Sequence, residues 1–169
     1  MKMDSSYQDD ADRSRDATEK FWAALRSDMT VMLESASAEP RPMTSQLDSE
    51  EDRGPIWFFT STDSDLAEGK AGEAASFTFV DKGHGLWANV RGTLTQNNDR
   101  AVIDRLWSPF VAAWYKGGKD DPTLALMRFD PADAKIWFDA NTLWAGIKML
   151  FGSDPKVAFK DKVAEVPLR

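Results

Sequence analysis

Arg41-Pro42-Met43-Thr44-Ser45-Gln46-Leu47 and, a short turn later, Ile56-Trp57-Phe58-Phe59-Thr60-Ser61 are the two runs on which the reading of this chain turns. The first is an extended, polar-edged segment with a fixed guanidinium and several hydroxyl and amide groups. The second is a bulky aromatic strand that ends abruptly in two small hydroxyl residues. Aromatic walls stack on a flat ring, and an arginine with hydroxyl donors holds an anion. Together the runs suit a ligand that is flat at one end and phosphorylated at the other. Alternation along the second run puts Ile56, Phe58 and Thr60 on one side and Trp57, Phe59 and Ser61 on the other. One side is expected to be core, and the other an interface or a ligand pocket.

Working outward, β-prone or alternating segments at Met29 to Glu34, Met43 to Leu47, Ile56 to Thr60, Ser76 to Val80 and Leu86 to Leu94 follow one another between Pro, Gly, Asp and Ser breaks. Five strands in a row predict an antiparallel meander. In the last of them Leu86, Ala88, Val90 and Leu94 share one face, and Gly92 interrupts that row as glycines at bulges and barrel bends do. Before the strands, residues 1–15 read as a flexible, solvated arm. Asp16 and Glu19 then form a capping-box pattern ahead of a helix from Ala17 to Ser27, with Thr18, Phe21, Trp22 and Leu25 on one face. Ser64 can cap a short helix over Asp65 to Lys70.

After the strands, Asn98 is placed to cap a helix with apolar stripes Val102, Leu106, Phe110, Trp114 and Ile103, Trp107, Val111, Tyr115, broken in two where Pro109 follows Ser108. That stripe is either a core face or a dimer or ligand wall, the latter favoured by aromatic groups whose polar tips want partners. Residues 116–122 read as a loop in which Asp120 and Asp121 make a turn and helix cap. Leu124 to Phe129 and Lys135 to Asp139 return to strand character on either side of an Asp130-Pro131 turn. A last helix, Leu143 to Phe151, and a charged tail complete a single domain over residues 16–169. Consecutive strands without a Gly-rich βα loop predict an α+β, barrel-like domain with peripheral helices, in place of a doubly wound sheet.

Composition narrows the chemistry. With 28 acidic against 21 basic residues the net charge is −7, and no basic tract is long enough to follow a phosphodiester backbone, so nucleic acid is not the expected partner. The absence of cysteine closes thiolate chemistry, and His84, the only histidine, sits in a Gly-rich turn, so histidine-based triads and metal sites are not expected. No apolar run approaches membrane-spanning length and the first residues are polar, so the expectation is a soluble, cytoplasmic protein without a membrane partner.

Five motifs, in this order, carry a specific resemblance: Arg41-Pro42-Met43; Ile56 to Ser61; Val90-Arg91-Gly92-Thr93; Asp99-Arg100 with Leu106-Trp107-Ser108-Pro109; and Trp114 to Pro122. Over roughly Phe21 to Asp139 the chain resembles the pyridoxamine 5'-phosphate oxidase-like superfamily of FMN-binding split barrels, and within it the general stress protein 26 group. The resemblance implies an antiparallel, Greek-key-like split β-barrel and a homodimer with flavin, FMN or FAD, in the subunit interface. It implies a cofactor-binding set of Arg41, Pro42, Met43, Thr44, Phe59, Thr60, Ser61, Ser64, Lys70 and Trp87, and assigns no catalytic residue and no metal ligand. In the family a Ser-x-Lys segment helps hold the flavin phosphate. Here Ser64-Asp65-Leu66 stands in that place, so the lysine is missing, an acid is close by, and Lys70 is left as the substitute. Three functions fit: a flavin-dependent oxidoreductase acting on a small molecule, a flavin-sequestering stress protein, or a cofactor-free dimer.

Overall fold

The computed structural model describes residues 5–139 and 162–169. Strands β1 (Thr30–Ser35), β2 (Arg41–Thr44), β3 (Ile56–Ser61), β4 (Glu73–Val80), β5 (Leu86–Gln96), β6 (Leu124–Phe138) and β7 (Val163–Pro167) form one antiparallel sheet. Its order is β2-β1-β4-β5-β6-β3, with β7 also on β6. The order departs from a simple meander, because β3 crosses to the far edge and pairs with the first half of β6, Ile56 opposite Phe129 through Ser61 opposite Leu124. The two ends of the sheet then meet. Gln46 and Trp57 exchange both backbone hydrogen bonds, 2.8 and 2.9 Å, and close the sheet on itself as a barrel.

The inward rows follow the alternation of the sequence. Val31 and Leu33, Phe77 and Phe79, Ala88 and Val90, and Ile56 and Phe58 are all buried, with Phe58, Phe77 and Phe129 meeting edge-on or tilted at centroid distances of 5.2–6.5 Å. Helix α1 (Ser5–Ser27) covers one end of the barrel with Ala17, Phe21, Trp22 and Leu25. This helix starts well before the expected Ala17, and residues 5–15, read as a flexible arm, are its first turns. Asp16 is mid-helix and pairs with Lys20 at 2.8 Å, so no capping box forms there. The stretch has no Gly or Pro to stop propagation backwards from the buried turns.

β3 is buried on both faces. Its outer side chains, Trp57 and Phe59, pack with Leu124 and Leu126 beneath α2 (Arg100–Leu106) and α3 (Pro109–Ala112), which add Val102, Ile103 and Val111. Asp99, rather than Asn98, caps α2 through the backbone N–H groups of Ala101 and Val102. Asn98 instead spans to β6, donating to the Leu124 carbonyl and accepting from the Leu126 N–H. Ser108 caps α3 with Pro109 in its first position, as the sequence predicts. Asp48 accepts from Arg105 at 2.8 Å and from the Trp57 indole at 3.3 Å, which ties the β2–β3 connection to α2.

Asp130-Pro131 does not divide β6. The strand runs through the pair with a bulge in which Gly92 faces Pro131 and Arg91 faces Asp133, leaving Ala132 unpaired in the ladder with β5. The Ala132 carbonyl accepts the Leu168 N–H instead, at 3.1 Å. Here the charged tail proves to be β7, with Ala164, Val166 and Leu168 turned inward and buried against the main core. The helix expected over Leu143 to Phe151 lies outside the described residues.

The register between β5 and β6 rests on close contact at Gly92, where an added Cβ would lie 2.3 Å from the Asp130 carbonyl oxygen and 2.9 Å from the Phe129 ring. Backbone cannot yield there as a flexible side chain could. Gly92→Ala is therefore expected to cost about 1–3 kcal/mol, read as a lower urea midpoint. Thr93→Ala, on the exposed face next to it, is expected to stay within about 0.5 kcal/mol.

Candidate functional site

The Gln46–Trp57 bridge also marks where the barrel splits. Continuing its antiparallel register brings Thr44 level with Phe59 and Pro42 level with Ser61, yet no ladder pairing joins these residues among those described. The strands part, and a cleft of about 390 Å³ opens between them, in the size range of small-molecule sites. Its β2 wall is Pro42, Met43, Thr44 and Gln46, and its β3 wall is Phe59, Thr60 and Ser61. A third wall comes from α3 and the turn after it, namely Phe110, Val111, Trp114 and Tyr115.

Tyr115 fixes that third wall. Its hydroxyl donates to the Thr60 carbonyl at 2.6 Å, and its ring packs between Phe59 and Trp107 at centroid distances of 6.3 and 6.2 Å. Burial, helped by the nearby charge of Asp121, pushes the phenol up to about 12, so it stays a donor throughout the physiological range. The Asp121 carboxylate accepts from the Thr123 hydroxyl and from the backbone N–H groups of Gly117 and Thr123, contacts that hold its pKa below the usual carboxylate range. Asp121 is thus the turn residue the sequence implies. Among the described residues no cluster of acids and histidine could hold a metal ion, and no helix is long and apolar enough to cross a membrane. Phe110 and Trp114 are 60% and 75% exposed, so the cleft has an aromatic rim that no described residue covers.

Arg41 starts β2, next in sequence to the cleft-lining Pro42, and is not itself part of the lining. Its Nη2 lies 2.5 and 2.6 Å from the two carboxylate oxygens of Asp65, while its Nε is buried and has no hydrogen-bond partner among the described residues. The ion-pair partner is therefore Asp65, 24 residues away in sequence. Ser64 caps the 3-10 turn Asp65–Ala67, accepting from the Leu66 N–H at 3.3 Å, and the Ser61 hydroxyl donates to Asp63. Lys70 is exposed in the following turn and is not part of the cleft lining.

Six of the ten expected residues line the split, namely Pro42, Met43, Thr44, Phe59, Thr60 and Ser61; Arg41 adjoins Pro42 in β2, and Ser64 sits in the turn that holds Asp65. Trp87 is not among them. It sits on the outer face of β5, 46% exposed, opposite Trp137 and stacked with the His84 ring at 6.2 Å. Thr123 lines the cleft without having been picked out, and of the two apolar stripes Phe110, Val111, Trp114 and Tyr115 reach the cleft, while Val102, Ile103, Val111 and Tyr115 are buried in the outer cluster.

Residues 16–153 match the family described as pyridoxamine 5'-phosphate oxidase like. The structure is similar to that of the general stress FMN/FAD binding protein from Xanthomonas citri, at 48% identity and a TM-score of 0.69, covering 75% of this chain and 92% of that one. It is also similar to a protein from Jannaschia sp. CCS1 classed with general stress protein 26, at 32% identity and a TM-score of 0.73, covering 91% of this chain and 99% of that one. General stress protein 26 of Bacillus subtilis is 32% identical over 50 residues, covering 30% of this chain and 35% of that protein. The chain spans only 39% and 35% of the length of the two curated relatives it matches. Sequence match and superposition agree with the closed, antiparallel sheet and its parted strands: the chain belongs to the pyridoxamine 5'-phosphate oxidase-like family and has that family's split-barrel fold.

Proposed function

We propose that the protein binds a flavin, FMN or FAD, without a covalent link, in the cleft between β2 and β3. The observation that carries this reading is the composition of the cleft. Phe59, Met43 and Pro42 offer apolar surface to a ring, Thr44, Thr60 and Ser61 bring hydroxyls to the lining, and Arg41, next to Pro42 in β2, keeps one buried N–H without a partner among the described residues. The residues present therefore fit a planar ligand with an anionic end. The Xanthomonas citri relative, described as an FMN/FAD binding protein, supports the choice of ligand.

When bound, a flavin supplies hydride or electron transfer, which makes a flavin-dependent oxidoreductase acting on a small molecule the fuller form of the proposal. The chain's own part is to stack, orient and hydrogen-bond. No described carboxylate or histidine lines the cleft to move a proton. A flavin-holding stress protein without catalysis is the second reading, favoured by the pairing of Arg41 with Asp65, which leaves less positive charge for a phosphate.

The site is proposed to be completed by a second copy. Trp87, Trp137, Met32, Phe110 and Trp114 leave large apolar groups exposed on the single chain, and Trp87 can meet a flavin only from a partner. Light scattering is expected to give twice the chain mass of 18.9 kDa; a monomer that binds flavin equally well would remove this step.

Titration of purified protein with FMN and with riboflavin, followed by flavin fluorescence, tests the ligand. Saturable binding of both is expected, and no binding of either leaves the cofactor-free dimer. Arg41→Ala is expected to weaken FMN by about 1.5–3 kcal/mol, the scale of a lost charge-assisted hydrogen bond, and to change riboflavin much less. Equal losses for the two ligands would mean that Arg41 only supports the turn.

A further inference from the structure

The guanidinium that the flavin site offers to an anion already holds one. Arg41 Nη2 faces both oxygens of Asp65, and each side chain of the pair is about one-third exposed (36%), so the contact lies at a boundary where solvent screens it only in part. Asp65 is held from its other side as well, because its Oδ1 accepts the Leu66 N–H at 3.1 Å. Its carboxylate is therefore fixed beside Arg41 by the 3-10 turn and is not a side chain free to swing away. Asp63, which accepts from Ser61, adds a second acid at the same end of the cleft. Lys70, the nearest lysine downstream in the sequence, is exposed and outside the lining.

We infer that Asp65 is a specificity-determining residue that occupies Arg41 as a built-in counter-anion and so sets the site against the phosphorylated end of its ligand. This rests on the flavin reading. A phosphate monoester carries about −1.5 to −2 charges at neutral pH. To reach the Arg41 guanidinium it has to share or displace a carboxylate of the same sign that the backbone holds in place. A flavin without a phosphate meets no such cost, since its ring contacts lie with Phe59, Met43 and Pro42. Affinity for the ring is thereby separated from affinity for the phosphate, and Asp65 acts on the second alone. A purely structural role makes a different forecast: Arg41–Asp65 would brace the turn against β2, and its loss would affect every ligand alike.

The test compares dissociation constants of FMN and riboflavin for the full chain, Asp65→Asn, Arg41→Ala and the double variant, each at low and high ionic strength. Asparagine keeps an oxygen to accept the Leu66 N–H and removes only the charge, and a melting curve for each variant checks that the turn is retained. Asp65→Asn is expected to tighten FMN about tenfold at low salt, the scale of one partly screened elementary charge a few Å away. Riboflavin is expected to stay within about twofold, and the FMN gain to shrink at high salt. In the double variant FMN is expected to bind more tightly than in Arg41→Ala, because the unpaired acid is gone. An unchanged ratio of FMN to riboflavin affinity in Asp65→Asn, or FMN and riboflavin weakened together, would overturn the inference while leaving the flavin reading intact. Failure of riboflavin and FMN to bind any of the four proteins would overturn both.

Discussion

Two backbone hydrogen bonds between Gln46 and Trp57 do more for this protein than their number suggests. A sheet with free edges exposes rows of unpaired donors and acceptors, and closing it removes them. Here closure is confined to one bridge, so the barrel is sealed at one level and parted above it. A longer ladder between β2 and β3 would have brought Thr44 against Phe59 and Pro42 against Ser61, and there would be no cleft. Pro42 belongs to this arrangement, since it has no N–H to give to a ladder on that side.

The cost of a strand parted from one neighbour is met on its other faces. β3 pairs along its whole length with β6, fills the barrel with Ile56 and Phe58, and buries Trp57 beneath α2 and α3. Phe59 lies where that outer cluster meets the cleft, and the Tyr115 hydroxyl secures the β3 backbone at Thr60. The cleft-facing end of β3 is thus held on its other sides without being paired to β2, which leaves a supported wall beside open space. Asp48 serves the same end from a distance by joining the connection after β2 to Arg105 of α2.

Much of this was legible in the residues. Period-2 alternation identified the inward rows of β5 and β3, the Ser108-Pro109 pair marked the break between α2 and α3, and the ordered motifs carried the family and the cleft-lining runs. The exceptions have physical reasons. The early start of α1 left no signal, because a polar, Gly-free and Pro-free segment is compatible with both coil and helix and its neighbour decides. β7 did leave a signal, the alternation of Ala164, Val166 and Leu168, but it was masked by Glu165 and Pro167 between them and by the flanking Lys162 and Arg169. Pro131 reads locally as a breaker, and only the partner strand, where Gly92 gives room, turns it into a bulge. The position of Trp87 on the outer face of β5, away from the cleft of its own chain, follows from the same alternation that buries Leu86 and Ala88. The pairing of Arg41 with Asp65 joins the start of β2 to the 3-10 turn after β3, and no spacing rule reaches that far.

The crossing of β3 to the far edge has a consequence for biosynthesis. Ile56-Trp57-Phe58-Phe59 leaves the ribosome early, but its ladder partner, Leu124 to Phe129, is made only after β4, β5, α2 and α3. Until then the most hydrophobic strand of the barrel has one bridge to β2 at most, and its two apolar faces lack both the core and the helices that later cover them. For the whole of that interval the nascent chain carries an apolar strand without its ladder partner, the kind of segment that is open to intermolecular strand pairing before a long-range sheet closes.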